Sequence, residues 1–296
     1  MRPAILARTV LVAVAAFLFG ATPSILGTHS IGAKPSVDEY YRTVSDRMER
    51  LLTRGASQRD IDRALEREFG WVLVAGGSAD DGRPAAENAA AHSNGRGPEP
   101  ATDATAVTAS SGPSSADCIE MRTPRVYRNT QQGRYEASAW FYWKIRNAYP
   151  CWMDDQSVLT ADIGGYDGFG ISISKLVSRR YVAMSIYTED GARTALINPS
   201  DADDSGVTYR GQDRTTCGWN CGYNWDHGVV IYAFVLRSTC MPGEYQLNSR
   251  LGHTWASTSV SGISVSTRGI SIDMSSTSNS WQAVNPVPLA WFRCGH

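Results

Sequence analysis

Residues 217–228, CGWNCGYNWDHG, gather two cysteines, two tryptophans, a tyrosine, an Asp–His pair and three glycines. Three chemistries use such residues. Cys217, Cys221, Asp226 and His227 could supply four zinc ligands, and the three-residue gap between the cysteines suits a metal knuckle. A redox pair needs two intervening residues at a helix start, not three in a glycine-rich loop. The third chemistry is a disulfide-closed turn, in which Gly218, Gly222 and Gly228 accept positive φ and Asn220 and Asn224 tolerate it. No second matched cysteine pair accompanies the first, so the closed turn is the expectation. On it Trp219, Tyr223 and Trp225, with Asp226 and His227, form a rigid contact surface that loses little freedom on binding. The competing reading has the same aromatics covering the disulfide.

A second stretch, NPSDADDSGVTYRGQ, sets Asp201, Asp203, Ser205 and Gly206 at positions 1, 3, 5 and 6 of a calcium-loop pattern. Gln212 stands where a bidentate Glu belongs, and no helices flank it, so an acidic turn between strands competes. No cofactor is expected; calcium is the one cation this pattern raises. Neither G-x-S-x-G nor H-E-x-x-H occurs. The histidines beyond residue 117 are His227, His253 and His296, and Glu120, Glu136, Asp162, Asp167, Glu189 and Glu244 could supply a carboxylate pair for glycoside hydrolysis. Their separations depend on the fold, so catalysis stays open and no catalytic residue is assigned.

These residues need elements to position them. The chain opens MRPAILARTVLVAVAAFLFG, with Arg2 and Arg8 ahead of an apolar run from Val10 to Phe19. That layout predicts a signal peptide over 1–30 and a secreted, extracellular protein. Because no clean A-x-A triplet follows, an uncleaved anchor is the other reading. No later stretch is long and apolar enough for a transmembrane helix. All six cysteines, Cys118, Cys151, Cys217, Cys221, Cys240 and Cys294, follow residue 117. An even count in an exported chain predicts three disulfides. Closeness pairs Cys217 with Cys221; Cys118–Cys151 and Cys240–Cys294 are one arrangement of the rest.

Residues 34–74 are read as a helical hairpin. Ser36 stands three before Glu39 and Ser57 three before Asp60, both N-cap spacings. Tyr40, Tyr41, Val44, Met48, Leu51 and Leu52, then Ile61, Ala64, Leu65 and Phe69, recur at helical spacing. Alone such a pair buries too little to be stable. Residues 75–117 hold one large aliphatic side chain, Val107, and no aromatic; this predicts a disordered linker. Residues 118–296 carry the strand signals. RYEASAWFYWKIR places aromatics on both alternating faces, GVVIYAFVLR is continuously apolar, and TSVSGISVSTRGISIDMSS reads as two strands with a bulge at Gly262. The expectation is a mainly β protein: a disulfide-stapled C-terminal sandwich or barrel preceded by the helical hairpin and linker.

The segment GEYQLNSRLGHTWASTSVSGISVSTRGISIDMSSTSNSWQA resembles the terminal part of uncharacterised secreted β-domain proteins of high-GC bacteria. The likeness covers about 45 residues and implies no activity. From Cys118 onward 16 basic residues face 15 acidic ones, a balance without the footprint of a nucleic-acid binder. The reading is therefore an extracellular binding or surface-interaction domain, its partner a glycan or cell-envelope polymer. Two alternatives stand beside it: a membrane-active, pore-forming-like β protein using the alternating segment 257–280, and a secreted hydrolase. The sequence is silent on oligomeric state.

Overall fold

The computed structural model describes residues 36–76, 118–144, 161–188, 192–196, 198–217, 221–237, 243–276, 279–285 and 290–293. The predicted signal peptide, residues 77–117 of the predicted linker, Trp219, Glu189, His296, Cys151, Cys240 and Cys294 lie outside them. Helix α1, Val37–Thr53, is capped by Ser36, whose hydroxyl accepts the Glu39 N–H at 3.2 Å. Helix α2, Gln58–Phe69, is capped the same way by Ser57 and ends at Gly70 in the left-handed conformation (φ +70).

Directly after Gly70, WVLVA forms strand β1, Trp71–Ala75. Sheet A continues with β2, Ile119–Met121, β3, Arg125–Asn129, and β4, Arg134–Trp143. In chain order there follow β5, Ala161–Ile173, β6, Ser178–Tyr187, β7, Arg193–Leu196, β8, Asp201–Asp203, and β9, Gly206–Cys217. Then come β10, Cys221–Tyr223, β11, His227–Val235, and β12, Tyr245–Thr254. The last four are β13, Val260–Ser266, β14, Gly269–Met274, β15, Ser280–Val284, and β16, Ala290–Phe292. Sheet A runs β1-β3-β4-β11-β6-β7, with β2 also on β4. Sheet B runs β10-β9-β5-β12-β15, with β16 on β12 and β8 on β9. Among the described residues, strands β13 and β14 pair only with each other. Every pairing is antiparallel.

Side-chain alternation stacks these pieces in four layers. On β4, Tyr135, Ala137, Ala139, Phe141 and Trp143 enter the core between the sheets, where they meet Phe169, Ile171, Tyr209 and Leu251 of sheet B. The intervening Trp140 faces the other way, onto Tyr41, Val44 and Met48 of α1 and Ile61 and Leu65 of α2. Strand β11 alternates likewise, which is why its sequence is apolar throughout. On the far side of sheet B, the β13–β14 hairpin lays down Val260, Val265, Ile270 and Ile272. It sits close because sheet B offers glycines beneath it: a Cβ on Gly252 would lie 2.8 Å from Met274, and one on Gly168 2.9 Å from Ile263.

The helices are bound to sheet A by buried charge as well as by apolar contact. Asp62 of α2 accepts from Arg125 and from the Tyr127 hydroxyl (2.9 Å), both on β3. Glu49 of α1 meets Arg193 at 2.6 Å and accepts the Ser185 hydroxyl at 2.8 Å. The β structure is thus not confined to residues 118–296: the segment 34–74 contains a strand as well as two helices, and that strand runs through Ala75. Residues Ser36–His296 form one compact unit. A β-branched and aromatic run after a helix cap pairs with β3 as soon as β3 is available. Among the described residues no helix is long and apolar enough to cross a membrane, and no cysteine is free. Cys118 is fully buried and disulfide-bonded.

Candidate functional site

The turn that raised the first question joins β9 to β10, with Cys221 directly opposite Cys217 in the ladder. Tyr223 is half-buried against the core. Trp225 is a core residue and not a contact surface. It is 2% exposed, stacks on Phe141 at 5.9 Å, and fills the space over Gly211, where a Cβ would come within 2.8 Å of the indole. Its own carbonyl accepts the Trp143 indole N–H at 3.0 Å, which folds the turn inward. Asp226 is buried too, and its Oδ2 lies 3.0 Å from His227 Nδ1. The His227 ring is stacked between Tyr187 (4.6 Å) and Tyr142 (5.4 Å), on the helix side of sheet A. Trp225 thus lies in the core between the sheets and His227 on the helix side of sheet A, so these two side chains do not share a surface.

The residues of the calcium-loop pattern hold the β8–β9 turn together. Asp203 Oδ1 accepts both the N–H and the hydroxyl of Ser205 at 2.6 Å, and Asp201 Oδ2 accepts the Val265 N–H at 2.9 Å. These carboxylates close the β8–β9 turn and tie it to the hairpin. Other candidate carboxylates are paired with arginines: Glu120 with Arg122, Asp162 with Arg214, and Glu244 with Arg293. Glu136 lies buried under the helices with both oxygens unpartnered, and burial pushes its carboxyl up to about 8.

The described residues converge elsewhere. Asp213 of β9, Asp167 of β5 and His253 of β12 point into the core from three adjacent strands. His253 Nδ1 lies 2.7 Å from Asp167 Oδ2 and 3.8 Å from Asp213 Oδ2. The other Asp167 oxygen accepts the Thr254 N–H at 2.8 Å. Asp213 is 2% exposed, and its Oδ1 has no partner. Burial first, and then the neighbouring Asp167 charge, hold the Asp213 carboxyl well above the usual range. Upstream on β5 the register shifts between Asp162 and Tyr166, and the Gln212 amide spans that bulge, donating to the carbonyls of Ile163, Gly164 and Asp213.

Rings enclose the imidazole: Trp143 at 4.9 Å, Trp281 at 5.1 Å and Trp255 at 5.9 Å. Trp255 and Trp281 are half-buried against the core, and the Trp281 indole N–H is buried without a partner. The arrangement can do two things chemically: pass a proton between an imidazole and two carboxylates, or chelate a cation. Asp167 and His253 stood among the candidates of their types, but Asp213 did not. The signal that could have found it is phase, since each of the three occupies an inward position of an otherwise apolar strand face.

No family model matches the chain, and comparison with curated proteins finds no relative. Among solved structures, one described by the words "AvmM Catalyzes Macrocyclization in Alchivemycin A Biosynthesis" aligns over 51% of this chain and 78% of its own. Its sequence identity is 11% and its TM-score 0.22. A likeness of that size carries no argument about fold or function.

Proposed function

We propose that the protein is a secreted binding module whose contact surface is the tryptophan-lined end of the sandwich, with a glycan or cell-envelope polymer as partner. The observation that supports this is the pair of partly buried indoles, Trp255 and Trp281, both packed on His253 with part of their surface in solvent. Indole faces stack on apolar sugar faces, and the rigid strands beneath leave little entropy to lose. The expected Cys217–Cys221 disulfide belongs to the same proposal: facing positions of an antiparallel ladder suit a short staple. Secretion rests on the leader-like start of the sequence.

Retention on cell-wall and polysaccharide columns tests the proposal. Trp255→Ala and Trp281→Ala are expected to lose retention while melting near wild type. If wild type binds nothing and both variants lose about 3–5 kcal/mol of stability, the indoles are only packing. One observation favours a second, membrane-active reading. The β13–β14 hairpin is a separate two-stranded sheet with aliphatic residues on one side and Ser261, Ser264, Ser266, Ser271 and Asp273 exposed on the other. Such a hairpin, released from sheet B, has the alternation of a pore-lining strand pair. Dye release from lipid vesicles by wild-type protein would favour that reading over the first.

A further inference from the structure

We propose that Asp167, Asp213 and His253 form a binding site for a divalent transition metal of the zinc class. The inference stands independently of the binding reading above. Three features carry it. First, the donors converge: one oxygen from each carboxylate and His253 Nδ1 all lie within 4.8 Å of one another, on three neighbouring strands of one sheet. Bonds of about 2.0–2.2 Å to a shared ion put donors a little over 3 Å apart. The observed 2.7 and 3.8 Å from His253 Nδ1 straddle that spacing.

Second, Asp213 Oδ1 is a buried acceptor with no partner, on a side chain that is 2% exposed. A single imidazole N–H cannot serve two buried carboxylates, whereas one divalent cation answers both. Third, the outer shell is already built. Thr254 holds Asp167 Oδ1 through its N–H, which leaves Oδ2 directed at the centre. Trp143, Trp255 and Trp281 fix the imidazole and shut out solvent. The unpartnered Trp281 N–H is a donor suited to an anion or water on the metal's remaining position.

The donor set selects the metal class. Calcium asks for six to eight oxygens (about that number in most sites) and magnesium for near-octahedral oxygen ligation. Two carboxylates and an imidazole suit zinc, with one position left open.

Tag-free, full-length protein, stripped with a chelator and dialysed, is titrated with zinc and separately with cobalt(II). The expected results are one zinc per chain, a higher melting temperature with zinc but not with calcium or magnesium, and a cobalt d–d spectrum of nitrogen–oxygen type. Asp213→Asn, close to isosteric, is expected to weaken zinc binding at least about 100-fold. Asp226→Asn, which alters the other Asp–His pair, leaves it unchanged. The inference is overturned if wild type takes up neither metal, if the cobalt spectrum shows thiolate charge transfer, or if folded Asp213→Asn binds like wild type. Should Asp213→Asn fail to fold, the wild-type stoichiometry and cobalt spectrum decide alone.

Discussion

Glu136 sits in the middle of β4 with its carboxyl turned toward the helices, and nothing pairs with it. The Tyr40 and Tyr41 hydroxyls are the polar groups that its charge would reach. Burial alone pushes the carboxyl from 4.5 up to about 8. Below pH 4.5 folded and unfolded chains both carry the proton, and the group costs nothing extra. From there to about pH 8 the unfolded chain ionises while the folded one does not, so stability falls; above pH 8 the whole penalty applies. That displacement corresponds to on the order of 5 kcal/mol. Glu136→Gln is therefore expected to leave the melting temperature near wild type at pH 4 and to raise it progressively toward pH 9. Denaturant titrations at four or five pH values check this, and a pH-independent difference would mean that Glu136 is solvated or paired.

At the scale of elements, the seat of the β13–β14 hairpin makes the sharpest prediction. Gly252→Val places methyl groups where Met274 and Ile272 now lie, 2.8 and 2.9 Å from the would-be Cβ. A loss of about 1–3 kcal/mol is expected, with faster amide exchange confined to residues 260–274; uniform exchange would show that the hairpin and sheet B open together. The elements differ in how openly their sequences declare them. The caps at Ser36 and Ser57, the two-faced strands β4 and β11, and the irregularity at Gly262 follow from local pattern, because each depends on neighbours in sequence. Strand β1 does not, since WVLVA is strand only by virtue of β3, more than 40 residues later. Trp225 misleads for a similar reason: a loop aromatic looks exposed until Gly211 and Phe141 are known to make room for it. The Asp167–Asp213–His253 centre needs the strand order β9-β5-β12, which no local spacing encodes.

For the molecule as a whole, the helical segment is part of the sandwich rather than an appendage. Trp71, Tyr41, Met48 and Leu65 share one buried cluster with Trp140 and Ile231. The Asp62–Arg125–Tyr127 network crosses between the same pieces. A protease site engineered within residues 77–117 is expected, once cut, to leave the fragment Ser36–Gly76 bound to the remainder through gel filtration. Separation without denaturant would contradict the packing described.

Strand β1 has a further consequence. It covers one margin of sheet A and arrives with the helices that roof it. A chain shortened to begin after Gly76 would present the bare amides and carbonyls of β3 beside an unroofed apolar face. Those are the ingredients of edge-to-edge growth between copies. The N-terminal piece is thus also a guard against self-association, and its loss would be read first as aggregation, before any loss of binding.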